Sequence, residues 1–277
     1  MYDSIINCEQ LHKLAWTANC VIVDTRYDLN DPDAGKRAYA EGHLPGAIFV
    51  DISRDLSSNT AGGGRHPLPT DYDMDRLFSA CGIGPDTQVV IYDASFGAFA
   101  ARMWWMLQYR GHGSVAVLNG GWQAWLGNAY PTEQQINHNV PRAFQGAPNP
   151  DRRVQLSDFP LDTLLVDSRE PDRYRGITEP IDPVAGHIPG AVNYSWKQNI
   201  NEAGKFRSAA ELREKLLSVL AGTAPADAVF YCGSGVTACH NLLAACYAGL
   251  DMPRLYAGSW SEWCSIPRRP VATDLSR

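Results

Sequence analysis

The 277-residue sequence predicts an α/β protein of two tandem domains, each a parallel sheet flanked by helices. One observation is a set of landmarks that occur twice. Val23-Asp24-Thr25-Arg26, Gly42-His43-Leu44-Pro45-Gly46-Ala47, Val90-Ile91-Tyr92-Asp93 and Gly120-Gly121-Trp122-Gln123-Ala124-Trp125 return in the same order as Val166-Asp167-Ser168-Arg169, Gly186-His187-Ile188-Pro189-Gly190-Ala191, Val229-Phe230-Tyr231-Cys232 and Gly258-Ser259-Trp260-Ser261-Glu262-Trp263. The copies lie about 140 residues apart, too far for a solenoid repeat and right for a complete domain. The other observation is a series of short, continuous apolar runs alternating with helical stretches, as strands buried on both faces read. The duplication gives an N-terminal domain over 1–130, a linker over 131–152 and a C-terminal domain over 153–277.

In chain order, the first copy supplies strands at Val21-Ile22-Val23, Ala47-Ile48-Phe49-Val50, Val89-Val90-Ile91-Tyr92 and Val115-Ala116-Val117-Leu118. A helix is expected over 98–109, directly after the third of these. From Asn128 to Pro160 the hydrophobic pattern breaks, with prolines at 131, 141, 148, 150 and 160, which marks the connection between domains. The second copy has strands at Leu164-Leu165-Val166, Ala191-Val192-Asn193, Ala228-Val229-Phe230-Tyr231 and Arg254-Leu255-Tyr256. Its helices are expected over 208–220, where Leu212, Leu216 and Leu217 share a face, and over 236–248.

Composition narrows the function classes. With 45% hydrophobic and 19% charged residues the chain is an ordinary globular protein, neither disordered nor coiled coil. A net charge of −6 offers no basic footprint for nucleic acid. The first ten residues lack a cationic stretch followed by an apolar core, and no run approaches the roughly 20 apolar residues of a spanning helix, so no membrane partner and a cytoplasmic location are expected. Seven cysteines, an odd number without a Cys-x-x-Cys pair, fit a reducing compartment and argue against a structural zinc site.

Only the second copy has a cysteine where the first has Asp93. Cys232 opens Cys232-Gly233-Ser234-Gly235-Val236-Thr237-Ala238, directly after a buried strand and directly before a helix, at the sheet edge where open α/β folds bind ligands. The two glycines let the backbone curl so that successive amides point at one anion. Amide donors and a helix N-terminus favour a thiolate over a thiol, and a thiolate is a nucleophile at neutral pH. Cys8, Cys20, Cys81, Cys239, Cys246 and Cys264 lack such surroundings and are assigned to packing. No Arg or Lys lies between Cys232 and Ala238, so the loop lacks the guanidinium clamp of a cysteine phosphatase.

Two copies of Asp-(Thr/Ser)-Arg, Gly-His-(Leu/Ile)-Pro-Gly-Ala and Gly-x-Trp-x-x-Trp, with Cys-Gly-Ser-Gly-Val-Thr in the second alone, resemble the two-domain rhodanese sulfurtransferases over essentially the whole chain. Within that family the loop is most similar to that of the 3-mercaptopyruvate sulfurtransferases, since thiosulfate enzymes usually place basic residues where this chain has Gly233 and Ser234. Thiosulfate is a compact dianion that benefits from nearby cations, whereas mercaptopyruvate brings one carboxylate and a ketone; a neutral loop favours the second donor without excluding the first.

The resemblance implies that Cys232 takes a sulfur atom from the donor, becomes a persulfide, and passes the sulfur to cyanide or to a thiol, including that of a thioredoxin-like protein, with no metal or organic cofactor. It implies that the amides of Gly233, Ser234, Gly235, Val236 and Thr237 hold the anionic persulfide, and that Arg173 binds the donor's carboxylate or sulfonate. Mercaptopyruvate enzymes often carry a second arginine shortly afterwards; Glu179-Pro180-Ile181-Asp182 supplies none. Ser234 and His66 match two members of a Ser-His-Asp set, while the Asp position reads Ser53. Gly62-Gly63-Gly64-Arg65-His66-Pro67 would have to reach across an interdomain cleft, where Arg65 would add the missing positive charge. Thr237 is expected either to cap the following helix or to donate to the persulfide.

His43 and His187, Asp24 and Asp167 occur in both copies, including the one without the cysteine, and are read as structural. The six tryptophans at 104, 105, 122, 125, 260 and 263 are read as packing. With Asp93 at the cysteine's place the first domain is expected to be non-catalytic and to supply one wall of the cleft. Three readings stay open: sulfur transfer from mercaptopyruvate, thiosulfate:cyanide sulfur transfer through the same cysteine, and a sulfur-carrier or protein-interaction module with little small-donor turnover. A thiol redox role lacks a resolving cysteine, because Cys239 lies about two helical turns beyond Cys232.

Overall fold

A computed structural model of the chain describes residues 1–14, 19–58, 64–159 and 162–274. Gly62, Gly63 and Pro160 lie outside the described residues. The chain forms two compact units: residues 1–58, 69–149 and 202–206 make the first, and 59–68, 150–201 and 207–277 the second. The described segment 64–68 of the first repeat thus belongs to the unit that holds the second, and 202–206 of the second repeat belongs to the unit that holds the first.

In unit 1 the strands are β1 (Ile5–Ile6), β2 (Cys20–Asp24), β3 (Ile48–Phe49), β4 (Gln88–Tyr92) and β5 (Val115–Leu118), and the helices α1 (Cys8–Leu14), α2 (Ala34–Glu41), α3 (Asp71–Ala80), α4 (Ala100–Tyr109) and α5 (Gly121–Gly127). Unit 2 has β6 (Arg153–Val154), β7 (Leu165–Asp167), β8 (Val192–Asn193), β9 (Val229–Tyr231) and β10 (Arg254–Tyr256), with α6 (Pro171–Arg175), α7 (Ala209–Leu220), α8 (Thr237–Tyr247) and α9 (Ser259–Ser265). The sheet orders are β1-β5-β4-β2-β3 and β6-β10-β9-β7-β8, the same topology twice, and every pairing is parallel. Both sheets are the parallel, helix-flanked kind that the apolar runs predicted. The two-residue edge strands β1 and β6 have no run long enough to announce them; they exist by pairing with β5 and β10.

Parallel strands need both faces covered. All five residues of β4 and all three of β9 are buried, as those unbroken runs require. In unit 1, Ile6, Leu11, Ile22, Val90, Leu118 and Trp125 share one core; in unit 2, Val154, Leu165, Val229, Tyr256, Trp260 and Trp263 share another. Helix α7 begins on a full capping box: the Ser208 hydroxyl accepts from the Glu211 amide and the Glu211 carboxylate accepts from the Ser208 amide. No helix among the described residues is long and apolar enough to cross a membrane.

The residues common to both repeats hold the strand ends. At the end of β2 the Asp24 carboxylate accepts from the Arg26 backbone amide and guanidinium, and Arg26 also donates to the Gly42 carbonyl and lies over Trp122. Asp167, Arg169, the Gly186 carbonyl and Trp260 repeat this arrangement. His43 Nδ1 bonds to the Tyr39 carbonyl oxygen and its ring stacks on Tyr39; His187 does the same with Tyr174.

Candidate active site

Cys232 follows the central strand β9 directly, and its side chain is buried, 1% exposed. Its amide donates to Ser259 Oγ at 3.1 Å, and the Ser259 hydroxyl donates to the Tyr256 carbonyl. The amides of Trp260 and Ser261, at the start of α9, donate to the carbonyls of Cys232 and Gly233 at 3.0 and 2.9 Å. In a planar trans peptide the N–H points opposite to the C=O, so the amides of Gly233 and Ser234 are turned away from α9. Gly235 has φ +73° and an added Cβ would stand 2.3 Å from the Ala257 carbonyl oxygen, so both conformation and space demand glycine there.

Unit 1 shows what such a loop holds. The Asp93 carboxylate, fully buried after β4, accepts from the amides of Ser95 and Gly97 on one oxygen and of Phe99 and Ala100 on the other, all at 2.8–2.9 Å. Phe96 takes a positive φ of 61° where unit 2 has Gly235. Burial pushes the Asp93 carboxyl up while those four amides pull it down. The loop is therefore an anion cage closed on its own side chain. The positions in unit 2 that match Ser95, Gly97 and Phe99 are Ser234, Val236 and Ala238, and the fourth, Cys239, turns its amide to the Val236 carbonyl.

The segment 64–68 brings two side chains to the cysteine loop. Gly64, at φ +87°, packs so closely on the start of α9 that an added Cβ would lie 2.5 Å from Ser261 Oγ. The next amide, that of Arg65, donates to the same hydroxyl at 3.1 Å. His66 Nδ1 lies 2.8 Å from Ser234 Oγ, and both side chains are buried. Ser53 is in unit 1, where its hydroxyl bonds to the Tyr27 hydroxyl at 2.6 Å.

Arg65 and Arg173 meet beside Gly233. A Cβ added to Gly233 would stand 2.8 Å from Arg65 Nη2 and 3.5 Å from Arg173 Nη2, which puts both guanidinium groups next to the residue that follows Cys232. Arg173, on α6, is 16% exposed and is held by Glu179 through Nε and Nη2 and by Asp182 through Nη2 at 3.1 Å. Asp182, 2% exposed, also pairs with Arg65. Burial works against the Glu179 charge, yet Arg173 and the amides of Asp182 and Ile181 hold its carboxyl below the usual range. Burial pushes the Asp182 carboxyl up, and Glu179 beside it adds to that, against the pull of Arg65 and Arg173. The Glu179–Asp182 stretch, read in the sequence only as lacking an arginine, thus supplies two carboxylates; acids six and nine residues after Arg173 were the signal.

Thr237 does not cap α8. The N-cap position falls on Val236, no side-chain cap bond is made, and Thr237 is already the first helical residue. Burial pushes the Cys20 and Cys81 thiols up to about 11 and about 12, and raises those of Cys8 and Cys264 as well, so these cysteines stay protonated at neutral pH. The Cys239 thiol donates to the Gly235 carbonyl at 3.3 Å.

Known proteins resemble the chain in both sequence and fold. The Rhodanese-like domain family matches residues 7–128 and again 154–266. The chain is 42% identical to a probable 3-mercaptopyruvate sulfurtransferase of Pseudomonas aeruginosa, over 97% of this chain and 98% of that protein. It is 39% identical to the putative thiosulfate sulfurtransferase SseB of Mycobacterium tuberculosis, over 90% of this chain and 89% of that one. Its fold superposes on 3-mercaptopyruvate sulfurtransferase from Leishmania major with a TM-score of 0.86 at 31% identity, covering 97% of this chain and 76% of the other. With two matched domains, each built on the same five-stranded parallel sheet, the chain belongs to the rhodanese-like family.

Proposed function

We propose that this chain is a sulfurtransferase that moves a sulfur atom from 3-mercaptopyruvate to cyanide or a thiol through a persulfide on Cys232. The observation that carries the reading is the pair of matched loops: one closes four amides on the Asp93 carboxylate, and the other presents a cysteine in the same place. A cage of that kind holds an anionic persulfide as it holds a carboxylate. Relatives named for mercaptopyruvate and for thiosulfate support the reaction class.

In this reading Arg173 and Arg65 take the donor's carboxylate and so bring its sulfur to Cys232. The Cys232 thiolate attacks that sulfur, an S–S bond forms and the C–S bond breaks, and the electron pair leaves with carbon as the enolate of pyruvate. The enolate takes a proton, which the buried, hydrogen-bonded His66–Ser234 pair is placed to supply. An acceptor thiolate or cyanide then attacks the outer sulfur and the Cys232 thiolate departs. The acceptor in the cell is a small thiol or a thioredoxin-like protein, and the location we assign is the cytoplasm, where a thiol nucleophile stays reduced.

A second reading, thiosulfate as donor, is favoured by one observation: two guanidinium groups beside Gly233 suit a dianion better than one would. Thiocyanate release from cyanide, with each donor in parallel, separates the readings. Higher kcat/KM with mercaptopyruvate, abolished in Cys232→Ser, is the expected result. Higher kcat/KM with thiosulfate would move the donor assignment, and no turnover with either would make the chain a carrier or interaction module.

A further inference from the structure

The Gly233 side of the Cys232 loop carries two arginines already neutralised from within. Arg173 is engaged by Glu179 on Nε and Nη2, so its bond to Asp182 is the looser of the two. Arg65 has Asp182 as its carboxylate, and its buried Nε has no hydrogen-bond partner. Glu179 is also tied to Arg169 and to two backbone amides, which fixes it as part of the frame. Asp182 is different. It pairs with both of the guanidinium groups that stand next to Gly233, and it is itself buried.

We propose that Asp182 is the internal counter-anion of an Arg65–Arg173 clamp: the donor's anionic group binds by displacing it, and Asp182 thereby sets donor affinity and disfavours doubly charged donors. The proposal rests on the sulfurtransferase reading and names the residue that tunes it. Arg65 then stands in for the second arginine that the Glu179–Asp182 stretch lacks. The displaced carboxylate remains close in the same segment and repels the bound anion, and the repulsion scales with the donor's charge. The charged groups facing Asp182 are Arg65, Arg173, Arg169 and Glu179, and burial, the largest influence on it, already weakens its hold as an anion. Asp182 is a positioning and specificity residue; it does not touch the sulfur.

The test is Asp182→Asn, with Asp182→Ser as a second variant that keeps a small polar side chain should the amide fold poorly. KM is expected to fall about 10-fold for mercaptopyruvate and more steeply for thiosulfate, with kcat held within about twofold. A residue that merely orients the arginines would give the opposite, a rise in KM for both donors, and that rise or an unchanged KM overturns the proposal. Binding of pyruvate and of thiosulfate to Cys232→Ser, with and without Asp182→Asn, is measured alongside by calorimetry. If the wild type turns over neither donor, the sulfurtransferase reading fails. If it turns over a donor but Asp182→Asn tightens neither binding nor KM, only the clamp proposal fails.

Discussion

Removing the Asp93 carboxylate asks whether the loop of unit 1 is an anion cage. Asp93→Ala leaves four inward-turned amides at a fully buried site without their acceptor. An unsatisfied buried donor costs about 1–3 kcal/mol. The space vacated by the carboxylate admits a water, which satisfies about half of the donors. Relief of the burial that pushes the Asp93 carboxyl up returns part of the rest. The net expectation is a loss of about 2–4 kcal/mol, a large share of the roughly 5–15 kcal/mol that stabilises a domain. Urea denaturation gives the total, and hydrogen exchange at the amides of Ser95, Gly97, Phe99 and Ala100 locates it. Formate fits the vacated cage and is expected to restore protection at those four amides and raise the urea midpoint, where chloride at equal ionic strength does neither. A loss below about 1 kcal/mol, or formate and chloride acting alike, would refute the cage and with it the argument carried over to Cys232.

Two further predictions concern the second unit. Ser234→Ala and His66→Ala each remove the 2.8 Å contact, and each is expected to lower kcat/KM with mercaptopyruvate about 10–100-fold, with the double variant little worse than the singles because the pair acts as one unit; unchanged kcat in both singles would assign the pair to packing. Glu179 is held below its ordinary value of 4.5 by Arg173 once burial is overcome, so its stabilisation is present above about pH 4.5 and is lost as pH falls through the lowered value in the folded protein. Glu179→Gln is therefore expected to cost about 2–4 kcal/mol at neutral pH and to flatten the acid limb of the stability curve, and an unflattened limb in pH-resolved denaturation would sink that assignment.

What the sequence made legible is what short-range pattern encodes. The buried runs gave β4 and β9, the spacing of Leu212, Leu216 and Leu217 gave α7, and the glycine-bearing stretch after β9 falls at the sheet edge with Gly235 in the left-handed region. What stayed hidden depends on contacts between distant residues. His66 and Ser234 meet although 168 positions separate them, and nothing periodic in Gly64-Arg65-His66 says that this segment belongs to the second unit. Glu179 and Asp182 lie in a turn after a five-residue helix, where neither a 3.6-residue nor a 2-residue period exists to show that both point at Arg173. Asp93 was visible as a lost nucleophile, but its role as acceptor for four amides needs the loop's path.

The duplication supplies its own control for the chemistry. Both loops follow the central strand of the same sheet order and both turn through a positive φ, at Phe96 and at Gly235. A non-glycine residue held at φ 61° costs about 1–2 kcal/mol, and in unit 1 the four bonds to Asp93 are there to offset it. In unit 2 the cost at that position is removed by glycine, and a cysteine sulfur stands where unit 1 has a carboxylate. The unit with Asp93 is therefore complete as it folds, while on the proposed reading the persulfide on Cys232 is the anion to which the matching amides of Ser234, Val236 and Ala238 donate. On that reading sulfur loading is expected to raise the urea midpoint of unit 2, and an unchanged midpoint after loading would count against an anion held by that loop.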